Sequence, residues 1–241
     1  MKIMTVSDEP GETMMGKFVV LLRKLMPWRK NQFAMYFGGC FIFSFGAKFF
    51  IDSKLGVDPL DVLCIGMTKH LPITIGIASG IVAITFLSIW TLWNKKFPPL
   101  TPFFTTFLVG NLIDLWNLAR IQDFTSPILS PVGLLVFALL LCAYGSSYII
   151  MSGIGIRIMD LVAITIVNKW RWQFIAAKMF LEIAMFSIGW TLGGPIGIGT
   201  VCFLAFVGTL IQPFMFMNNK FLRMPNHGLS KATTKEVAAA L

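Results

Sequence analysis

The sequence predicts an all-α polytopic membrane protein with six transmembrane helices in two inverted repeats of three, each repeat carrying a short interfacial or re-entrant helix. Three observations predict this class: the composition, the spacing of long apolar segments and an internal match between the two halves. Apolar residues make up 56% of the 241 residues, charged residues make up 13%, and the mean hydropathy is +0.77. Soluble domains hold roughly 25% charged residues. A water-soluble fold could not bury this much hydrocarbon.

Helix number follows from the length of the apolar segments, because crossing the bilayer core takes about 20 apolar residues. Six segments meet this requirement, at residues 33–51, 73–93, 99–118, 128–151, 172–192 and 198–217. Two further apolar segments, 58–71 and 158–170, are too short to cross and are predicted to be interfacial or re-entrant helices. The predicted organisation is therefore an N-terminal tail with an amphipathic helix (1–32), a first repeat (33–119), a second repeat (128–217) and a C-terminal tail (218–241).

Orientation follows from the distribution of positive charge, because Lys and Arg near the ends of spans oppose translocation. If the N-terminus is cytoplasmic, Lys54, Lys69 and Arg120 are the only members of the 20 Lys and Arg that fall in outer segments. Lys48 and Lys178 lie within predicted spans, and all the others fall in inner segments. We therefore expect a multi-pass protein of the bacterial inner membrane with both termini in the cytoplasm.

The two halves of the chain match at an offset of 99 residues. The match pairs Gly46 with Gly145, Gly56 with Gly155 and Asp61 with Asp160, among others. Three spans per half is an odd number, so the second half must enter the membrane from the opposite side. Inverted repeats with interrupted helices are typical of secondary transporters. The alternative is a duplication that serves only as a stable scaffold.

Residues 56–63 of the first repeat contain a helix start. Asp58 is followed by Pro59, which suits the first helical position, and a carboxylate at the preceding position can accept unpaired N–H groups. Asp58 and Pro59 are therefore predicted to form a structural cap. Asp61 lies in the first turn, where it either completes this cap or faces a ligand.

The second repeat keeps the glycine and the second aspartate but has Arg157 at the capping position. A guanidinium cannot accept N–H groups, and a cation beside a helix N-terminus is unfavourable unless an anion compensates it. That anion is either Asp160, in a structural pair, or a bound ligand. We expect Asp61 and Asp160 to face one polar cavity near the interface between the repeats, or else to be solvated at opposite membrane surfaces.

Two ionisable residues, Lys178 and Glu182, lie four positions apart within the fifth predicted span and can pair. Charged groups at this depth are costly and face the interior or a wet cavity. They are therefore candidates for substrate binding together with Asp61, Arg157 and Asp160, although a purely structural pair is the alternative. Lys48 lies near the outer end of its span, where its side chain is predicted to snorkel to water.

Other function classes lack the residues they need. His70 and His227 have no recognisable spacing to a nucleophile, and a phosphate-binding loop is missing, so we expect no enzyme and no cofactor. The four Cys lie in or beside apolar segments without metal-ligand spacing and are predicted to be core residues rather than a metal site. The formal charge is +9, but the Lys and Arg residues that produce it lie between apolar segments rather than in one basic patch. We therefore expect a lipid bilayer as partner and no nucleic acid.

Small residues recur at four-residue spacing, as Gly76 and Gly80 in the second predicted span and as Gly189, Gly193 and Gly197 at and just beyond the end of the fifth. This spacing suits close helix packing, either within the bundle or in a homo-oligomer.

The stretch Gly-Val-Asp-Pro-Leu-Asp-Val-Leu at 56–63, followed by Thr-Ile-Gly at 74–76 and by Gly110-x-x-Ile113-Asp114, resembles the YczE-like group of bacterial inner-membrane proteins, related to the YitT class. The resemblance covers roughly residues 33–217. It implies the membrane architecture described above and a role as a permease. Two departures concern Leu60, where the group often has an aromatic residue, and the spacing of Arg157 and Asp160.

The sequence therefore favours a small secondary transporter of a small polar molecule, anionic or zwitterionic, whose identity it does not specify. The alternative is a membrane scaffold or accessory subunit that transports nothing. A membrane enzyme acting on lipid would need a clustered nucleophile and base, which the sequence lacks.

Overall fold

The structure is a computed structural model that describes residues 30–125, 129–221 and 224. Within these residues all regular secondary structure is helical. The helices are α1 (Lys30–Ser53), α2 (Pro59–His70), α3 (Ile75–Asn94), α4 (Thr101–Leu118), α5 (Gln122–Thr125), α6 (Pro131–Ser152), α7 (Ile158–Trp170), α8 (Phe174–Thr191), α9 (Ile198–Cys202) and α10 (Gly208–Phe221). A π-helical turn, Phe203–Val207, joins α9 to α10.

Each apolar segment that the sequence predicts coincides with a helix. Four helical segments are long and apolar enough to cross a membrane, namely α1, α3, α6 and the segment Ile198–Phe221 that contains α9 and α10. Helices α4 and α8 have 18 residues each. The two short helices, α2 and α7, have 12 and 13 residues. The predicted amphipathic helix within 1–32 lies outside the described residues, and so does most of the C-terminal tail.

Helices α1 and α6 cross in direct backbone contact through glycines. A Cβ atom on Gly145 would lie 2.5 Å from the backbone nitrogen of Phe43, and one on Gly46 would lie 2.9 Å from that of Cys142. The offset of 99 pairs position 43 with 142 and position 46 with 145. The contact between Gly145 and Phe43 therefore corresponds to the contact between Gly46 and Cys142, with the two halves exchanged. Phe43 and Cys142 also meet each other, since the Cys142 thiol donates to the Phe43 carbonyl at 3.7 Å. The two halves therefore contribute equivalent contacts to this helix crossing.

The short helices each end against a long helix of the other half. The Nε2 atom of His70, at the end of α2, lies 3.2 Å from the carbonyl oxygen of Leu192, just beyond α8. Lys169, near the end of α7, donates to the carbonyl of Trp93 in α3 at 2.7 Å. The offset of 99 pairs position 70 with 169 and position 93 with 192. The contact between His70 and Leu192 therefore corresponds to the contact between Lys169 and Trp93, with the two halves exchanged.

Glycines with the four-residue spacing pack inside this chain. Gly76 and Gly80 face α4, where Cβ atoms would meet Asn111 and Phe107. Gly189 lets α2 lie against α8, because a Cβ atom there would lie 2.5 Å from the backbone nitrogen of Leu63. Gly193 instead follows the end of α8 with a positive φ of 77°.

The outward surface of the bundle carries large apolar side chains, as a lipid-facing surface does. Phe37, Ile84, Ile188 and Phe216 are each more than half exposed. Cys40, Cys64 and Cys142 are buried, as predicted, whereas Cys202 is partly exposed, and all four are free thiols.

The prediction that Lys48 snorkels to water is wrong. Its side chain is 1% exposed and forms an ion pair with Asp52, one turn further along α1. It also donates to the side-chain oxygen of Gln122 in α5 at 3.2 Å. The cation is neutralised inside the protein by its own helix, so it has no need to reach the membrane surface.

The crossing of α1 and α6 gives a test with two adjacent glycines. A Cβ atom on Gly39 would lie 2.8 Å from the backbone nitrogen of Ile149, whereas one on Gly38 would meet nothing within 4 Å. We expect Gly39→Ala to lower the free energy of unfolding by about 1–3 kcal/mol, the usual cost of overpacking. Gly38→Ala should be neutral or stabilising by up to about 1 kcal/mol, because alanine loses less backbone conformational freedom than glycine when the helix folds. Thermal unfolding in detergent measures both, and equal effects would contradict the packing described here.

Candidate functional site

The start of α2 is held by a turn and by α9 of the other half. Gly56 has a φ of 115°, which favours glycine, and a Cβ atom there would lie 2.7 Å from the hydroxyl oxygen of Thr200. The Val57 N–H donates to that hydroxyl at 3.1 Å. Asp58 then caps α2, since the Leu60 N–H donates to its carboxylate at 2.8 Å, and Pro59 occupies the first helical position.

The start of α7 repeats part of this turn. Ser152 accepts the N–H of Ile154 at 3.2 Å, as Ser53 accepts that of Leu55 at the same distance. The residue preceding α7 is Arg157, whose side chain caps no N–H group. The first turn of α7 therefore begins with a cation where that of α2 begins with an anion.

The starts of the two short helices meet. A guanidinium nitrogen of Arg157 lies 3.5 Å from a carboxylate oxygen of Asp58, and both side chains are largely buried. These residues are 99 positions apart, so they are equivalents of each other in the two halves. The unfavourable cation at the start of α7 is thus compensated by the anion that caps α2.

A chain of alternating charges extends from this contact into α8. Arg157 Nε lies 3.5 Å from one oxygen of Asp160, whose other oxygen lies 3.3 Å from Lys178 Nζ. Lys178 Nζ also lies 3.8 Å from a Glu182 oxygen. With Asp58, the five side chains form one linked network, which we call the charge network.

Sequence reasoning missed two partners of Arg157. It named Asp160 or a ligand as the compensating anion, but Asp58 also fills this role. The guanidinium carbon also lies 5.3 Å from the centre of the Phe43 ring, a cation–π arrangement. The offset of 99 was the signal for the first contact, because equivalent residues meet where two related halves touch.

A small cavity adjoins the charge network. Its volume is about 20 Å³, enough for one water molecule. It is lined by Phe43, Asp58, Leu60, Asp61, Ser79, Thr105, Thr106, Val109, Gly110 and Arg157. Of the five predicted binding residues, only Asp61 and Arg157 line it, while Asp160, Lys178 and Glu182 lie along the network behind Arg157.

Asp61 differs from the other carboxylates at this site. It is 6% exposed, and within residues 30–125 and 129–221 its carboxylate has neither a hydrogen bond nor an ion pair. Asp61 and Asp160 are both buried, so neither is solvated at a membrane surface.

Asp114 in α4 has a structural role that the sequence did not reveal. Its two carboxylate oxygens accept the N–H groups of Ile75 and Gly76 at 3.1 and 2.7 Å, which caps α3 from a neighbouring helix. Across the described residues, no group of three or more His, Cys, Asp or Glu is arranged to hold a metal ion.

Comparison with known proteins identifies the family. The model of DUF6198, a family of unknown function, matches residues 30–216, which hold all of the described helices except the end of α10. The chain belongs to this family. The match includes both short helices and the whole charge network.

Relatives of this DUF6198 protein occur in two bacteria. It is 26% identical over 207 residues to the uncharacterized membrane protein YczE of Bacillus subtilis, covering 84% of this chain and 92% of YczE. It is 26% identical over 183 residues to the uncharacterized protein YyaS of the same organism, covering 75% and 91%. An uncharacterized protein of Haemophilus influenzae is 23% identical over 192 residues, covering 77% and 82%. The resemblance to the YczE-like group is thereby confirmed, and no solved structure matches.

Exchanging the two charges that meet between the short helices tests their equivalence. Arg157→Asp alone removes the cation that pairs with Asp58 and places a further carboxylate beside it, and we expect it to destabilise the protein by roughly 3 kcal/mol or more. Adding Asp58→Arg should restore most of this loss, because the new arginine would lie three residues before Asp61, as Arg157 lies before Asp160. Unfolding of the two single variants and the double variant forms a double-mutant cycle. Losses that simply add would show that the two positions are not interchangeable.

Proposed function

We propose that this membrane protein is a small secondary transporter that moves a small polar molecule, anionic or zwitterionic, through the site formed by Asp61, Arg157, Asp160, Lys178 and Glu182. The observation that carries the proposal is the charge network, which lies where the starts of two short helices from different halves meet. Ionisable groups in the membrane interior are costly and are typical of substrate and ion pathways. Short helices whose N-termini face a central site are typical of secondary transporters.

The arrangement of six spans in two inverted repeats is part of this proposal. It is supported by the contacts that recur with the halves exchanged, at the crossing of α1 and α6 and at the ends of α2 and α7. Helices α4 and α8 would complete the six spans, since 18 residues extend about 27 Å, close to the thickness of the bilayer core of about 30 Å.

The balance of charge favours a zwitterion over a simple anion. Asp58, Asp61, Asp160 and Glu182 supply four carboxylates, against the two cations Arg157 and Lys178. A substrate with both an amino group and a carboxylate could pair with the ionised form of Asp61 and with Arg157 at once. The cavity of about 20 Å³ is too small for such a molecule, so the helices around it must separate for binding, as alternating access requires.

A scaffold or accessory subunit without transport activity is the second candidate. It is favoured by the small cavity and by the mutual pairing of five of the six charged side chains. In that case the charge network would only hold the two halves together. Asp61 speaks against this, because an unpaired buried carboxylate contributes nothing to such a role.

A thermal stability screen of the purified protein tests the transporter proposal. The panel comprises zwitterions such as amino acids and betaines, simple carboxylates and simple amines. We expect a zwitterion to raise the melting temperature, since a ligand at 100 times its Kd stabilises the folded state by about 2.7 kcal/mol. Asp61→Asn should abolish this shift, whereas Asp123→Asn, at an exposed position in α5, should keep it. A folded protein that no compound stabilises would favour the scaffold.

The proposed orientation is tested by cysteine labelling in intact cells, after replacement of the four native cysteines. Cysteines placed at the exposed positions Lys54 and Arg120 should react with a membrane-impermeant reagent. A cysteine at exposed Lys95 should react only after the cells are broken. Labelling at Lys95 but not at Lys54 in intact cells would reverse the orientation.

A further inference from the structure

We infer that Asp61 carries a proton in the resting protein and is the group that couples transport to proton movement. This inference deepens the proposed function and rests on it for the coupling, but the protonation of Asp61 can be measured without any substrate.

The first argument is the contrast between Asp61 and the other carboxylates of the site. Asp58 accepts the N–H of Leu60 and pairs with Arg157. Asp160 and Glu182 pair with cations as well. Asp61 is buried to the same degree, yet no donor or cation of the described residues contacts its carboxylate. A buried carboxylate without a partner lowers its free energy by binding a proton.

The second argument is the balance of charge in the site. Four carboxylates and two cations leave two negative charges. The N-termini of α2 and α7 each supply about half a positive charge. One negative charge then remains, and a single proton neutralises it. Asp61 is the carboxylate on which this proton disrupts no existing contact.

The groups around Asp61 fit a proton rather than a bound metal cation. Asp58 and Arg157 are the charged groups that act on it, and Arg157 would repel a cation in the cavity. The thiols of Cys64, on its own helix, and of Cys142, on α6, are the other titratable neighbours. On α8, Lys178 and Glu182 are engaged with each other, and Lys178 also with Asp160.

Hydroxyl groups from α3 and α4 complete the cavity wall. Ser79 donates to the carbonyl of Gly76, but the buried hydroxyl of Thr106 has no hydrogen-bond partner within the described residues. A water molecule fits the cavity and would have both Thr106 and Asp61 as partners.

The coupling step involves only a proton. When the site is open to one side, a hydronium ion gives its proton to the Asp61 carboxylate, which becomes a neutral carboxylic acid, and a water molecule is left. When the site is open to the other side, the O–H bond breaks and water takes the proton. Nothing is oxidised or reduced. The neutral acid makes the closed state less costly to form, because no unpaired charge is then buried.

Infrared spectroscopy of the full-length protein in lipid nanodiscs tests the inference, because a protonated carboxylic acid has a carbonyl-stretch band that a carboxylate lacks. The protein is labelled with aspartate that carries carbon-13 in its side-chain carboxyl group. We expect a band at neutral pH that shifts with the label and disappears completely in Asp61→Asn. Glu182→Gln, which removes a paired carboxylate, should keep the labelled band.

A second variant covers the case in which Asp61→Asn does not fold. Asp61→Glu keeps a carboxylic acid at this position, so its band should remain but no longer shift with labelled aspartate. A wild-type protein without the band, or a band that survives Asp61→Asn, overturns the inference. If the band is absent and the melting temperature rises with NaCl but not with KCl, Asp61 binds sodium instead of a proton, which also overturns the inference. The proposed transporter fails separately, if the band is present but no compound of the stability screen binds.

Discussion

The need to neutralise charge inside the helical bundle determines the centre of this structure. Asp58, Arg157, Asp160, Lys178 and Glu182 lie in or at the starts of three helices, and removing either cation leaves a buried carboxylate unpaired, Asp58 without Arg157 or Glu182 without Lys178. The helix N-termini of α2 and α7 favour the carboxylates beside them. Because these helices start inside the bundle, the charged groups at their starts find partners within the protein, with Asp61 as the exception among the described residues. The charge network therefore fixes where both short helices begin.

Close backbone packing supplies the rigid frame around this centre. Glycines let α1 and α6 approach each other, and Gly189 lets α2 lie directly against α8. In a bilayer, lipid competes with every apolar side chain, so close contact between backbones is a principal source of helix association. The frame and the charge network thus stabilise the molecule in different ways. Packing positions the long helices and the body of α2, and ion pairs position the starts of the two short helices.

The sequence was sufficient for the helices and for part of the site. Hydropathy located the long helices because lipid imposes one length and one composition, and proline and aspartate marked the start of α2. The same reasoning failed for Lys48, because it overlooked Asp52, one turn further along the same helix, and because the second partner, Gln122, lies in a short helix that has no apolar pattern. It also missed the capping of α3 by Asp114, since a cap from another helix leaves no local signal. The match between the two halves held a signal for the contact between Asp58 and Arg157, but the sequence reasoning did not use it.

The contact between Asp58 and Arg157 bears on how such a chain could have evolved. A residue on the two-fold axis of a homodimer faces its own copy, so a charged residue there would meet a like charge. Joining two copies of an ancestral half into one polypeptide removes this restriction, because each copy can then mutate separately. An anion and a cation can then occupy equivalent positions. The opposite charges at 58 and 157 are thus a property that no symmetric dimer of half-length chains could acquire.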